Sequence, residues 1–170
     1  MPFIIENDTV TSFAEFQDVF DKDQRLFESN EGLSDDIVEA QLVRATERIL
    51  TGLRSSAWWQ SYYLNRNTSS TIIRSAADIP ALDVDRIKDR QNDFTDLCVY
   101  TALYEFILPS IADFGNEDNA ERQKIGYYQQ KADRLFGELI SAGDWYDFDD
   151  DDTITSDEKS PGYYNLKRVR

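Results

Sequence analysis

The stretch Ser34-Asp35-Asp36-Ile37-Val38-Glu39-Ala40-Gln41-Leu42-Val43-Arg44-Ala45-Thr46-Glu47-Arg48-Ile49-Leu50-Thr51-Gly52-Leu53 decides the fold. Val38, Leu42, Ala45, Ile49 and Leu53 recur at steps of 4, 3, 4 and 4 residues. A helix turns once every ~3.6 residues, so these side chains form one apolar stripe while the acids and bases lie outside it. Leu33 and Ser34, immediately ahead, have the character of a hydrophobic staple and a cap.

On the N-terminal side, Ser12 and Glu15 read as a capping box, and Phe13, Phe16 and Phe20 follow at helical spacing, predicting a helix over 12–21. Residues 22–33 are polar around Phe27 and end near Gly32, which predicts a turn or an irregular crossing. On the C-terminal side, Trp58 and Trp59 each precede a Tyr by four residues (Tyr62 and Tyr63), so the helix resumes there with aromatics paired on its faces. The segment from Asn65 to Pro80 turns to Asn, Ser, Thr and Arg around Ile72, Ile73 and Arg74, and reads as a long partner-contacting loop.

Asp83 is positioned to cap a helix carrying Ile87, Phe94, Leu97, Cys98, Thr101, Tyr104 and Leu108, until Pro109 breaks or bends it. A last long helix is predicted from Asn116 or Asp118, with Ile125, Tyr128, Ala132, Leu135 and Leu139 on one face and Gly143 as its C-terminal cap. With no internal repeat and no set of alternating strands, the pattern predicts an all-α antiparallel bundle of about four to five helices over 1–143. Residues 144–170 are then an acidic linker and an extended C-terminal arm.

Charge narrows the function. The 170 residues hold 18 Lys+Arg, 33 Asp+Glu and no His, a formal charge of −15. Nucleic-acid binders neutralise phosphates with Lys and Arg, so a body this acidic repels DNA or meets it only briefly. Without His, a Ser-His-Asp triad, a Cys-His pair and the usual zinc sites are all excluded, and no enzyme is expected. The single Cys98 cannot close an intramolecular disulfide, and Met1-Pro2-Phe3-Ile4-Ile5-Glu6 lacks the basic start of a secretory leader, so a reducing cytoplasm is the expected compartment. No run approaches the ~20 apolar residues of a membrane span, and a membrane role is not expected.

Two local constellations stand out. In Asp147-Phe148-Asp149-Asp150-Asp151-Asp152-Thr153-Ile154-Thr155-Ser156-Asp157-Glu158, oxygen-bearing side chains occupy loop positions 1, 3, 5, 7, 9 and 12 of an EF-hand-type calcium loop. Asp147, Asp149, Asp151, Thr153 and Glu158 are therefore candidate Ca2+ ligands. Against this, Asp152 stands where the pattern has Gly, and Lys159-Ser160-Pro161-Gly162 does not open an exiting helix. The competing reading is a solvated linker, extended by repulsion among its consecutive aspartates. No cofactor is otherwise required.

The second constellation is terminal. Residues 144–158 carry eight acids and no base, whereas 159–170 carry Lys159, Lys167, Arg168 and Arg170 with no acid. Tyr163, Tyr164, Leu166, Lys167, Arg168, Val169 and Arg170 combine aromatic, aliphatic and basic groups in a segment too short to fold alone, a composition suited to docking on another protein. Trp58 and Trp59 serve either core packing or a subunit contact, and Cys98, on an apolar face, is structural.

The order of these segments resembles the head-to-tail connector (adaptor, or head-completion) proteins of tailed bacteriophages. The likeness rests on a short capped N-terminal helix, then Ala40-Gln41-Leu42-Val43-Arg44-Ala45-Thr46-Glu47-Arg48-Ile49-Leu50 leading into Trp58-Trp59. It continues with Asp96-Leu97-Cys98-Val99-Tyr100-Thr101-Ala102-Leu103-Tyr104 and a last helix followed by a long tail. The resemblance implies a structural virion protein, a dodecameric ring beneath the portal that seals the packaged head at the neck. Such a ring offers a platform to the next neck or tail protein and leaves a channel for double-stranded DNA. It implies that the arm reaches the portal and that the loop carrying Ile72, Ile73 and Arg74 is a candidate subunit or tail-side contact, to which the residues themselves add Trp58 and Trp59. It does not imply calcium. A rival of another class is an acidic DNA mimic that occupies a host DNA-binding enzyme, which the net charge fits equally well. The acid-free basic terminus and the mixed charges along the helices count against that rival.

Overall fold

The computed structural model describes residues 5–7, 10–30, 32–66, 78–116 and 119–159. The fold is all-α, apart from a two-stranded antiparallel ribbon of β1 (Ile5–Asn7) and β2 (Val10–Ser12) that pairs Ile5 with Ser12. Among the described residues no helix is long and apolar enough to cross a membrane.

The chain divides into two compact units. One unit takes residues 1–49 and 90–138, the other 50–89 and 139–170. Residues 144–159 thus group with residues 50–89.

In the first unit, α1 (Phe16–Lys22) begins four residues later than the predicted helix. Ser12 lies in β2 and its hydroxyl donates to Ala14 O at 2.7 Å, while the N–H of Phe13 goes to Thr46 Oγ1 at 3.1 Å. Those bonds hold the entry in a turn, and the reciprocal cap is set instead by Glu15, whose N–H donates to Asp18 Oδ2 at 2.9 Å. Residues 24–29 form α2 (Gln24–Ser29) where an irregular crossing was expected. The physical reason is apolar packing: Leu26 is buried, and half-buried Phe27 sits 5.0 Å from Phe16 and 5.6 Å from Phe20, contacts that hold the turn in helix.

Helix α3 (Asp35–Ser55) carries the expected stripe, and Val38, Leu42, Ala45, Ile49 and Leu53 are all buried. The predicted central helix starts at Gln91, not at Asp83: α5 (Gln91–Ala102) is followed by a π turn (Leu103–Ile107) and α6 (Leu108–Ile111). Pro109 accounts for the π turn. Having no N–H, it cannot bond the carbonyl four residues back; the backbone widens, and the Leu108 N–H reaches Leu103 O instead. The helix passes the proline and ends at Ile111.

Helix α7 (Ala120–Ala142) is capped by Asn119, whose Oδ1 accepts from the Arg122 N–H at 2.9 Å, rather than by Asn116 or Asp118. Tyr128 and Ala132 are buried and Ile125 and Leu135 half-buried, as one amphipathic face requires. Asp23, buried between α1 and α2, accepts from Lys124 Nζ at 2.6 Å and from the Tyr128 hydroxyl at 3.2 Å.

In the second unit, α4 (Ala57–Arg66) carries the aromatic run. Asp83 caps only a 3-10 turn (Val84–Arg86), its Oδ1 accepting from the Asp85 N–H at 3.1 Å, and Ile87 lies outside any helix, bridging to Tyr146.

Candidate functional site

Gly143 ends α7 with φ +58°, its N–H donating to Leu139 O at 3.0 Å. The turn carries the chain into Trp145-Tyr146-Asp147-Phe148, all four buried. Four backbone and indole bonds fix this strip. Trp145 Nε1 donates to Leu139 O at 2.8 Å, the Lys88 N–H to Trp145 O at 3.0 Å, the Asp147 N–H to Arg86 O at 3.0 Å, and the Asp83 N–H to the Tyr146 hydroxyl at 3.2 Å. Phe148 stacks on Tyr62 at 3.7 Å between ring centres, and Trp58 lies 4.7 Å from Trp145. Burial pushes the Tyr146 phenol up, and pushes that of neighbouring Tyr63 up to about 12.

The acidic loop grows out of this aromatic bed. Asp147, 0% exposed, accepts the Asp150 N–H on Oδ1 and the Asp152 N–H on Oδ2, both at 2.8 Å. Asp150 and Asp152 take φ of +65° and +64°. The sharp turn that the calcium-loop pattern gives to Gly is therefore made here by Asp152, a residue type that tolerates the left-handed region better than most. Asp151 Oδ1 accepts from the Thr153 N–H at 2.9 Å and its hydroxyl at 2.6 Å, which holds the Asp151 carboxyl below the usual range. Asp149 is shifted the other way, by desolvation first and then by Glu158, Asp151 and Asp147 nearby.

Asp147, Asp149 and Asp151 offer oxygens that lie within 4.8 Å of one another, a spacing at which one cation could be shared. Glu158 is not among them. It is 1% exposed, and its Oε1 accepts from the N–H groups of Phe148 (2.7 Å) and Asp149 (3.3 Å), its Oε2 from the N–H (2.7 Å) and hydroxyl (2.9 Å) of Thr155. In this arrangement it is a latch that closes the loop, and its carboxylate lies outside the cluster formed by the three aspartates. The same Thr155–Glu158 pair caps α8 (Ser156–Lys159), so a helical turn forms inside the loop although none was expected to leave it.

The solvated-linker reading is overturned by the buried aromatics and by two cations from the preceding segment. Arg86 donates to Phe148 O at 2.9 Å and pairs with Asp150 at 3.3 Å, while Lys88 meets Asp152 at 2.8 Å. Both offset repulsion at the acids between the candidate ligands, and sequence reading missed both because they lie more than 60 residues away.

Trp58 and Trp59, read as either core or contact residues, pack inside their unit: Trp59 is fully buried, with Nε1 donating to Pro80 O at 3.1 Å, and Trp58 packs among Trp145, Tyr146 and Phe148. Ile72, Ile73 and Arg74, together with Tyr163, Tyr164, Leu166, Lys167, Arg168, Val169 and Arg170, lie outside the described residues. Cys98 is buried in the first unit, 3.4 Å from Thr46 Oγ1.

No family model, no curated protein and no solved structure matches this chain.

Proposed function

We propose that the chain is a subunit of a connector ring at the neck of a tailed phage, joining the portal of the DNA-filled head to the tail. What carries the reading is the polarised charge: a body with a strong excess of acid followed by a basic, aromatic terminus. An acidic wall repeated around a channel lets DNA slide with few sticking points, while the terminus docks on the portal. Rotational symmetry repeats one modest contact around a closed ring, and multivalency makes the docked ring far tighter than one arm. The role is geometric and needs no catalysis. Asp147, Asp149 and Asp151 are proposed as ligands for one Ca2+ in the loop that precedes the arm.

The test is electron microscopy of this protein mixed with the portal ring encoded in the same genome. An added symmetric layer on the portal is expected, and is lost when residues 160–170 are removed. A bare portal, with capture of a basic DNA-binding enzyme in its place, would transfer the chain to the DNA-mimic class.

A further inference from the structure

We infer that Gly143 and Glu158 are positioning residues that fix Lys159, the residue from which the C-terminal segment continues; the inference rests on the docking role proposed above. Two groups converge on Gly143, the Lys159 carbonyl and the Trp58 indole. A Cβ built on its backbone would fall 2.5 Å from the Lys159 carbonyl oxygen and 2.7 Å from Trp58 Nε1. The first of these is backbone, which cannot swing aside like the end of a long side chain, and φ is already left-handed. Any side chain at 143 therefore displaces the last described residue of the chain. Trp58 Nε1 is buried and makes no hydrogen bond among the described residues, so its N–H faces the same spot with a donor to spare. From the other side, the buried Glu158 carboxylate ties the turn before Lys159 to Phe148, Asp149 and Thr155.

The exit point is thus pinned at both ends of a short turn, by a missing side chain and by a buried carboxylate. Holding Lys159 in place before docking lowers the ordering cost of any contact made next to it, and so favours a partner that engages the body and the residues after 159 together.

The experiment compares four proteins for binding to the portal ring: the parent, a truncation after Lys159, Gly143→Ala, and the parent with two glycines inserted between Lys159 and Ser160. The insertion leaves every described contact in place and guards against a Gly143→Ala protein that does not fold. A nitroxide on Lys159→Cys, in parent and Gly143→Ala backgrounds, reads the order of the exit point directly; buried Cys98 stays unlabelled. Expected are loss of binding on truncation, a tenfold or greater weakening for both Gly143→Ala and the insertion, and a more mobile nitroxide in Gly143→Ala. A synthetic peptide of residues 159–170 competes with the same inhibition constant throughout, because the docking contacts themselves are unchanged. Full binding by the truncated protein would remove the docking role. Loss on truncation with binding by Gly143→Ala and the insertion within twofold of the parent would overturn the positioning role alone.

Discussion

The Glu158 carboxylate accepts the backbone N–H of Phe148 at 2.7 Å, and with it reaches ten residues back to close the acidic loop onto its aromatic bed. Replacing it by Ala leaves buried N–H groups without an acceptor, at a cost of about 3 kcal/mol. Glu158→Gln keeps one oxygen acceptor and costs roughly half as much. Urea unfolding followed by fluorescence checks the order; equal stability of parent and Glu158→Ala would show that the latch contributes nothing.

Asp23 and Lys124 form a partly buried pair at 2.6 Å that joins the α1–α2 corner to α7, with the Tyr128 hydroxyl as a third member. Asp23→Ala strands an ammonium and a phenol and is expected to cost about 2 kcal/mol, less than a fully buried pair because Lys124 retains contact with water. The double variant Asp23→Ala, Lys124→Met recovers part of that loss, and a thermodynamic cycle over the four proteins measures the coupling.

Cys98 gives an alkaline signature. Burial pushes its thiol up to about 11, so between its ordinary value near 9 and 11 the unfolded chain gives up a proton that the folded chain keeps. Stability is therefore intact below pH 9 and falls as pH rises through that window, by on the order of 2 kcal/mol. Tyr63, pushed up to about 12, adds to the loss in the same direction above pH 10. Denaturant melts of the parent and Cys98→Ala at pH 8 and pH 10.5 should show a steeper decline for the parent.

Calcium should bind at the loop, and Asp149→Asn is the cleanest variant, since Asp149 is exposed whereas Asp147 also holds two backbone amides. Calorimetry is expected to show one site in the parent and at least tenfold weaker binding in Asp149→Asn, with the calcium-free melting temperature of the variant unchanged or raised. At free calcium ~100 times Kd the parent gains about 2.7 kcal/mol. No calcium heat in the parent would end the metal proposal.

The helices were legible because their signals are local: the stripe Val38 to Leu53 and the cap at Gly143 need only neighbouring residues to be read. The closed, packed form of the acidic loop is not legible, for the opposite reason. Its consecutive aspartates suggest self-repulsion, but the cations that offset it, Arg86 and Lys88, arrive from a distant segment. A signal was nevertheless present in Trp145, Tyr146 and Phe148, since a solvated linker has no use for three large aromatics in four positions. Likewise Pro109 announced a break, whereas tertiary burial of Leu103, Ile107 and Leu108 keeps the chain helical through a π turn.

All three tryptophans of the chain, Trp58, Trp59 and Trp145, sit in the aromatic cluster of one unit, and the other unit holds none. Indole emission is therefore a private channel: it reports the melting of residues 50–89 and 139–159 and is blind to the rest, while circular dichroism sees helix everywhere. If the two units come apart at different temperatures, the two signals trace different curves for the same sample, and the gap between them measures how far the protein departs from all-or-none unfolding.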